Sequence, residues 1–316
     1  MKRIVLTRRW PATVEAVLSE RYDAVLNPDD RPLSAPELRA ALEGADAVLT
    51  TVTDKLDAGV LKPGIRAKIL GNFGVGISHI DLAAAKAAGL SVVNTPGVLT
   101  DATADIGMTL LLMSARRASE GEALVRAGKW QGWTPTQLIG SHVTGKTIGI
   151  VGMGRIGIAM ARRAHYGFGM DVVFHNRSKV AETGIPGARQ LPLEEVLAAA
   201  DFLSLHLPGG AENRHLIDAA ALSKMKPTAH LINTARGEVV DEAALVAALK
   251  AGALAGAGLD VFENEPKLHP ELAGLPMVSL LPHLGSATDE TRHAMGMKVV
   301  DNLDAFFAGK TPPDLC

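Results

Sequence analysis

The stretch Gly152-Met153-Gly154-Arg155-Ile156-Gly157 decides the fold, because it joins an apolar strand pattern at 148–151 to a helical pattern at 158–164. In such a unit the first glycine makes a tight turn, the second lets the backbone approach a pyrophosphate, and the third lets the helix pack on the strand. The N-terminus of the helix adds N–H donors and positive potential. The motif therefore predicts a dinucleotide site that includes Gly152, Gly154 and Gly157.

Short strand patterns alternate with Ala- and Leu-rich helical patterns on both sides of this motif, which predicts parallel sheets covered by crossover helices. The 316 residues favour two domains over one large α/β barrel. Turn residues at 94–97, followed by a long helical pattern from Asp101 to Arg117, place a domain boundary near residue 100. The predicted strands lie at 4–6, 47–49, 67–70, 91–93, 148–151, 172–174, 202–205, 230–232 and 278–280.

The composition excludes several classes of protein. The chain is 47% hydrophobic and 21% charged, and it has no apolar run of the ~18 residues a membrane span needs, so we expect neither a disordered chain nor a membrane protein. The 32 basic and 34 acidic residues are scattered, which argues against nucleic acid or a membrane surface as a partner. The lone Cys316 excludes an internal disulfide and a thiolate metal cluster, and we expect no metal. Residues 1–9 begin a strand and contain no apolar leader, which favours the cytoplasm.

The end of the second strand of the nucleotide-binding unit predicts which cofactor is used. Many NAD-binding units carry an acidic residue here to grip the ribose hydroxyls, but this chain has His175-Asn176-Arg177-Ser178. Asn176 removes the charge that would repel a 2′-phosphate, while Arg177 and Ser178 can donate hydrogen bonds to it. We therefore predict that NADP is preferred and that NAD is possible. The alternative is that Arg177 points to solvent and that either cofactor serves.

Three further segments place polar residues after predicted strands, at 233–237, 258–266 and 281–286. Ligands of open α/β sheets bind at such carboxyl ends, so these groups should converge near the cofactor. With these segments, the sequence resembles the D-2-hydroxyacid dehydrogenases and, among them, the glyoxylate/hydroxypyruvate reductase branch. The resemblance extends over essentially the whole chain, including Gly71-Asn72-Phe73-Gly74-Val75-Gly76 and the run 95–104, which reads Thr-Pro-Gly-Val-Leu-Thr-Asp-Ala-Thr-Ala.

The resemblance implies two Rossmann-like α/β domains with the active site in the cleft between them. The first is a flavodoxin-like substrate-binding (catalytic) domain of residues 1–100 and 287–316, and the second is an NAD(P)-binding Rossmann domain of residues 101–286. It also implies a catalytic triad of Arg236, Glu265 and His283. The residue types suit the reduction of a 2-oxo acid. Arginine can hold a carboxylate and a carbonyl oxygen, histidine can donate a proton near neutrality, and a carboxylate can orient the imidazolium.

The remaining site residues follow from the same resemblance. The backbone of Val75 and Gly76 should bind the substrate carboxylate. Contacts to the cofactor are expected from Thr103, Arg155, Ile156, Pro208, Asn213, Thr234, Asp260 and Gly285. Asn213 lies in the run Gly209-Gly210-Ala211-Glu212-Asn213, which departs from the Leu-Thr-Pro-Glu-Thr pattern of many relatives. His79 follows the substrate loop, and we interpret it as a solvated histidine rather than a catalytic base.

An aperiodic arm at 128–135 carries two tryptophans in a chain with few aromatic residues. Relatives dimerise, so we predict a homodimer in which the arm contacts the partner and Trp133 helps to set substrate size. The substrate is predicted to be glyoxylate or hydroxypyruvate. Other enzymes of the same fold, acting on 2-ketogluconate, phosphoglycerate or phosphonate, stay open as alternatives. A dinucleotide-sensing corepressor is the alternative from another class, although only 312–316 could serve as its interaction tail.

Overall fold

The computed structural model describes the whole chain from Met1 to Cys316 and shows a mixed α/β protein. The chain divides into two compact units. The terminal unit comprises Met1–Leu99 and Ala287–Cys316, and the central unit comprises Thr100–Ser286. No helix has both the length and the apolar character needed to cross a lipid bilayer.

The terminal unit contains a five-stranded parallel sheet. Its strands are β1 (Arg3–Leu6), β2 (Asp23–Val25), β3 (Ala47–Thr50), β4 (Ile69–Asn72) and β5 (Ser91–Val93), in the order β2-β1-β3-β4-β5. Its helices are α1 (Ala12–Arg21), α2 (Ala35–Gly44), α3 (Leu82–Ala87) and α10 (Asp289–Phe307). Every residue of β3 and β4 is buried, as expected for central strands of a sheet with both faces covered.

The central unit contains a seven-stranded parallel sheet in the order β12-β11-β10-β9-β6-β7-β8. Its strands are β6 (Thr147–Val151), β7 (Asp171–His175), β8 (Arg189–Gln190), β9 (Phe202–Leu205), β10 (His230–Asn233), β11 (Gly256–Leu259) and β12 (Val278–Leu280). Its α-helices are α4 (Thr100–Ala115), α5 (Ala118–Arg126), α6 (Arg155–Phe168), α7 (Leu193–Ala199), α8 (Ala219–Ser223) and α9 (Glu242–Lys250), and 3-10 turns lie at Gly237–Val239 and Leu272–Gly274. The strand order reverses between β6 and β9, which is where such sheets bind ligands.

Local sequence signals explain where several helices begin. Glu37 accepts hydrogen bonds from the backbone and the hydroxyl of Ser34 at 2.8 and 2.7 Å, and this capping box opens α2. Asp241 accepts from the N–H of Ala244 at 3.0 Å and opens α9.

The prediction of two parallel α/β sheets, one flavodoxin-like and one of Rossmann type, is confirmed by the strand orders. Three strands were not among those predicted, namely β2, β8 and β11. Strands β2 and β8 are very short and largely exposed edge strands, so neither has the apolar run that marks a buried strand. Strand β11 reads Gly-Ala-Gly-Leu and contains no β-branched residue. The assignment of substrate binding to the terminal unit and dinucleotide binding to the central unit stays a prediction.

Candidate active site

The glycine turn of the central unit has the form that a dinucleotide requires. Gly152 has φ +95°, and a Cβ there would lie 2.7 Å from the carbonyl oxygen of His206. A Cβ on Gly157 would lie 2.1 Å from the carbonyl oxygen of Gly152, so α6 packs against the turn itself. A Cβ on Gly154, in contrast, would meet no atom within 4 Å. The second glycine therefore leaves open space at the N-terminus of α6, and this chain fits a pyrophosphate there.

The predicted 2′-phosphate residues lie after β7. Asn176 accepts from the N–H of Met153 at 3.2 Å and donates to the carbonyl oxygen of Ser178 at 3.0 Å, so its amide ties the glycine turn to this loop. The side chain of Arg177 is 85% exposed, and its Nη1 lies 3.1 Å from Oε2 of Glu212. Glu212 could not be recognised from the sequence as a partner of Arg177, because the two residues belong to different loops.

Several other predicted cofactor residues make contacts within the central unit. Asn213 donates to the carbonyl oxygen of Pro208 at 3.0 Å. Thr103 donates to the carbonyl oxygen of Gly285 at 3.0 Å. The Thr234 hydroxyl is buried and has no hydrogen-bond partner in the structure, so it is available to a bound ligand. Arg155 and Ile156 form the first turn of α6, where Arg155 is exposed.

Asp260 organises the loop that follows β12. Its two carboxylate oxygens accept from the N–H groups of Leu284 at 2.6 Å and Gly285 at 2.8 Å, and its carbonyl oxygen accepts from the N–H of His283 at 2.9 Å. Burial raises the pKa of Asp260 above its ordinary value, against the lowering effect of these N–H donors. Asp260 therefore fixes the backbone of the loop that carries His283.

The three predicted catalytic residues follow three adjacent strands of one sheet. Arg236 comes after β10, Glu265 after β11 and His283 after β12. All three strands are parallel, so these residues extend from the same edge of the sheet as the glycine turn after β6.

Glu265 and His283 form a hydrogen-bonded pair. Oε2 of Glu265 lies 2.8 Å from Nδ1 of His283, and each side chain is about one-third exposed, at 32% and 34%. The other oxygen, Oε1, accepts from the N–H of Phe262 at 3.0 Å. Burial alone would raise the pKa of Glu265, but the hydrogen bond and charge of His283, the Phe262 N–H and the charge of Arg236 outweigh it and lower the pKa. The pair therefore favours a carboxylate facing an imidazolium.

Arg236 lies beside this pair in a largely desolvated position. Its Nη1 donates to the carbonyl oxygen of Ala235 at 2.6 Å. Burial lowers the pKa of the guanidinium, while the carboxylates of Glu265 and Glu238 oppose that shift, and the group stays charged. The segment approaches the loop of Glu265 very closely, since a Cβ on Gly237 would lie 1.8 Å from the carbonyl carbon of Phe262. This contact requires glycine and brings Arg236 near Glu265.

The predicted substrate loop lies in the terminal unit, after β4. The buried amide of Asn72 donates to the carbonyl oxygens of Gly74 at 2.9 Å and Gly76 at 3.0 Å. Nε2 of His79 lies 3.1 Å from Oδ1 of Asn72. The half-buried His79 therefore orients the loop amide, and its interpretation as a solvated histidine rather than a catalytic base stays a prediction.

The C=O of one residue and the N–H of the next belong to one planar peptide unit and point in opposite directions. The bond from Asn72 to the Gly74 carbonyl oxygen therefore directs the N–H of Val75 away from Asn72. The Val75 carbonyl oxygen accepts from Asn94 at 2.8 Å, which directs the N–H of Gly76 away from Asn94 in the same way. Val75 and Gly76 were named from the sequence but Asn72 was not, since only its burial shows that it acts on the loop.

The predicted tryptophan arm is exposed. Trp130 is 53% exposed, and its Nε1 donates to Oε1 of Gln137 at 3.2 Å. Trp133 is 80% exposed and Ile139 67% exposed. The arm therefore presents large apolar side chains on the surface of the central unit.

Comparisons with known proteins identify the family of this chain. A family model described as D-isomer specific 2-hydroxyacid dehydrogenase, NAD binding domain, matches residues 108–285. A glyoxylate reductase from Thermococcus litoralis is 44% identical over 318 residues, covering 99% of this chain and 96% of that protein.

Two solved structures are similar along nearly their whole length. The TT0316 protein from Thermus thermophilus is 43% identical with a TM-score of 0.91, and the match covers 99% of each chain. An NADPH-dependent glyoxylate/hydroxypyruvate reductase from Sinorhizobium meliloti, solved with NADP and malonate, is 37% identical with a TM-score of 0.89, and the match covers 100% of this chain and 96% of that one.

A Rossmann-type sheet with its glycine turn, together with an Arg, Glu and His set on three adjacent strands, defines a class of nicotinamide-dependent dehydrogenases. The chain belongs to the D-isomer specific 2-hydroxyacid dehydrogenase family and is an NAD(P)-dependent dehydrogenase. Within that family it belongs to the glyoxylate reductase branch, whose members it matches at 41–44% identity.

Proposed function

We propose that this protein reduces small 2-oxo acids with NADPH, converting glyoxylate to glycolate and hydroxypyruvate to D-glycerate. The observation that carries this proposal is the Glu265–His283 hydrogen bond of 2.8 Å beside a half-buried Arg236. The glyoxylate reductases among its relatives support the choice of substrate.

Arg236 prepares the substrate for reduction. Its guanidinium can donate in parallel to the carboxylate and to the carbonyl oxygen of a 2-oxo acid. When bound, the reduced nicotinamide supplies the hydride that adds to the carbonyl carbon. Negative charge then develops on the carbonyl oxygen, and Arg236 stabilises it in a site where burial strengthens the interaction.

His283 supplies the proton. Its Nδ1 faces Glu265, so Nε2 holds the proton that is transferred to the developing alkoxide, giving the 2-hydroxy acid. Glu265 favours the charged ring before the transfer and keeps the ring oriented during it. One hydride and one proton together account for the reduction of the carbonyl group.

The rest of the predicted site belongs to this proposal. The N–H groups of Val75 and Gly76 bind the substrate carboxylate, and Trp133 limits substrate size. The proposed cofactor contacts are Thr103, Gly152, Gly154, Arg155, Ile156, Gly157, Asn176, Arg177, Ser178, Pro208, Asn213, Thr234, Asp260 and Gly285.

A homodimer that covers the exposed tryptophan arm is also proposed, and light scattering that shows a monomer at micromolar concentration would exclude it. Location in the cytoplasm stays a prediction.

A substrate panel tests the proposed reaction. Initial rates with glyoxylate, hydroxypyruvate, 2-ketogluconate and 3-phosphohydroxypyruvate should give the highest kcat/KM for one of the first two. Chiral analysis of the product from hydroxypyruvate should show D-glycerate. A highest kcat/KM for 2-ketogluconate or for the phosphorylated acid would instead assign the protein to one of the related activities.

The preference for NADPH is tested at Arg177. One hydrogen bond from a charged group to a phosphate corresponds to roughly ten- to a hundredfold in kcat/KM, which we expect as the preference of the wild-type protein. Arg177→Ala should remove most of that preference. Glu212→Gln is the matched variant, because it frees Arg177 from its ion pair and should raise the preference by about two- to fivefold. Equal values for the two cofactors in the wild-type protein would show that Arg177 does not read the phosphate.

A further inference from the structure

Glu265 is carried by the loop 262–269, and the geometry of this loop decides whether its carboxylate reaches His283. The loop follows β11 and ends before the 3-10 turn Leu272–Gly274. Its tip is a turn in which the N–H of Lys267 donates to the carbonyl oxygen of Asn264 at 2.9 Å, and the rest has no regular secondary structure. The position of the loop therefore depends on contacts from other segments.

Glu242, in the first turn of α9, holds both ends of this loop. Its Oε1 accepts from the N–H of Glu263 at 2.7 Å, and its Oε2 accepts from the N–H of His269 at 3.1 Å. The residue is only 5% exposed, so its carboxylate is largely removed from water. Its hydrogen bonds to the two backbone N–H donors offset the cost of burying it. The positive end of α9 further stabilises its charge.

At the far end of the loop, Leu268 packs against the core and His269 is hydrogen-bonded to the neighbouring Glu271 and Leu272. The other side-chain hydrogen bonds from distant segments act at the beginning of the loop. Glu263 accepts at Oε1 from Arg214 at 2.6 Å and lies 2.7 Å from Nε2 of His215. Gly237 packs directly against the backbone of Phe262. These contacts fix the beginning of the loop, whereas the Glu242 carboxylate also fixes its far end at His269.

We infer that Glu242 is a positioning residue for catalysis, which holds the loop 262–269 so that Oε2 of Glu265 meets Nδ1 of His283. The inference rests on the proposed function for the role of that pair. Glutamine at position 242 would keep the size of the side chain but would turn an NH₂ group towards one of the two N–H donors. That end of the loop would lose its acceptor and move, which lengthens the Glu265–His283 contact.

The kinetic test compares Glu242→Gln with the wild-type protein over a range of pH. The catalytic acid must be protonated, so activity in the direction of reduction falls as pH rises. With a weaker Glu265 contact this fall should occur about half a pH unit lower, which is less than the loss of the carboxylate itself would cause. kcat at pH 7 should drop about threefold, while KM for NADPH and for hydroxypyruvate should change by less than about twofold.

A double-mutant cycle separates positioning from general damage. In the Glu265→Gln background, Glu242→Gln should cause no further shift of the pH profile, because the group being positioned is already lost. The matched control is Asp241→Ala, which removes the N-cap of the same helix and should cost about 1 kcal/mol of stability without moving the profile.

A titration without turnover keeps the inference distinct from the proposed reaction. The ring protons of His283, assigned by comparison with His283→Gln, are followed by NMR in the wild-type protein, Glu265→Gln and Glu242→Gln. We expect both variants to lower the titration midpoint. A midpoint lowered by Glu265→Gln but unchanged by Glu242→Gln would overturn the inference. A midpoint unchanged by Glu265→Gln would instead contradict the catalytic pair itself.

If Glu242→Gln does not fold, Glu242→Asp replaces it in both experiments. The shorter carboxylate can reach only one of the two N–H groups, so it should produce a smaller shift in the same direction. The nearby charges of Arg236 and Asp260 are the same in every variant and cannot cause the difference. An Asp variant with the wild-type midpoint and profile would overturn the inference.

Discussion

Two histidines at opposite ends of the sheet in the central unit have opposite surroundings. His230 begins β10 and is 3% exposed, with Ser114 Oγ 2.8 Å from its Nδ1 and Ser141 Oγ 3.0 Å from its Nε2. Its ring stacks on Phe202 at 5.1 Å. His283 follows β12 at the other end, is about one-third exposed, and faces the carboxylate of Glu265.

The two sets of partners differ in whether they favour the neutral or the charged form of the imidazole ring. A serine hydroxyl can donate or accept, so two serines satisfy a neutral ring, and burial lowers the pKa of His230 to about 4. A carboxylate only accepts, so it favours the charged ring. His283 also has φ +56°, a left-handed conformation that costs stability and is typical of functional sites. One histidine therefore joins secondary-structure elements, and the other is suited to proton transfer.

The largest effect expected from this comparison is on turnover in His283→Ala. Loss of the proton donor should lower kcat for hydroxypyruvate by ~10²–10⁴-fold with little change in the melting temperature. Arg236→Ala should differ by raising KM as well, because that residue contacts the substrate before and during hydride transfer. Steady-state kinetics measure both variants. Turnover within a few-fold of the wild-type rate in His283→Ala would show that another group donates the proton.

His230→Ala should show the reverse pattern. It leaves a cavity beside Phe202 and two serine hydroxyls without a partner, which should cost about 2–3 kcal/mol of stability, or roughly 5–10 °C in melting temperature. At temperatures where the variant stays folded, kcat should be within about twofold of wild type. A loss of turnover comparable with that of His283→Ala would remove the distinction between the two histidines.

Glu265→Gln should reduce the difference between the two sites, because the amide replaces a charge with a neutral group. Rate measurements from pH 5 to 9 should show activity falling about one pH unit lower than in the wild-type protein, with about a tenfold lower kcat at neutral pH. Glu238→Gln is a useful control, since Glu238 also interacts electrostatically with Arg236 but is not hydrogen-bonded to His283. An unchanged profile in Glu265→Gln would show that the carboxylate does not stabilise the charged acid.

The smallest expected effect is on how stability depends on pH. His230 has a folded pKa of about 4, below its ordinary value of 6.5, so between these values the unfolded chain binds the extra proton. Stability should therefore fall as pH drops through this window, by at most about 1.4 kcal/mol per pH unit for this histidine. Urea unfolding at pH 6.5 and 5.5 measures the decrease in the free energy of unfolding between these two pH values. This decrease should be about 1 kcal/mol smaller in His230→Asn than in the wild-type protein. Equal losses would mean that His230 is not held neutral.

Features with a local or short-range pattern could be predicted from the sequence. The glycine turn at 152–157 and the capped starts of α2 and α9 each involve residues close together in the chain. The strand β11 reads Gly-Ala-Gly-Leu and has no β-branched residue, so the predicted strand ranges did not include it and only the polar segment that follows it pointed to a strand there. The candidate triad was named because three such segments occur in the order of a known family.

The supporting contacts could not be predicted, because they join residues far apart in sequence. Glu242 appeared only as an acidic residue in the first turn of a helix, but its partners Glu263 and His269 lie 21 and 27 positions away. Arg177 and Glu212 are 35 positions apart and meet only once β7 and β9 pack into the same sheet. In the sequence, Asn72 is one more polar residue at the end of a strand. Only the structure shows that it is buried and that its amide holds the loop that follows.

The contact between Gly237 and Phe262 has a consequence for redesigning this enzyme. The two backbones touch without any side chain between them, so neither segment can be exchanged for a relative's version unless the other comes with it. A chimera whose crossover falls between residues 240 and 260 would take the segment with Gly237 from one parent and the segment with Phe262 from the other. Recombination libraries should therefore treat residues 236–265 as one exchangeable block, and saturation libraries should leave position 237 unchanged.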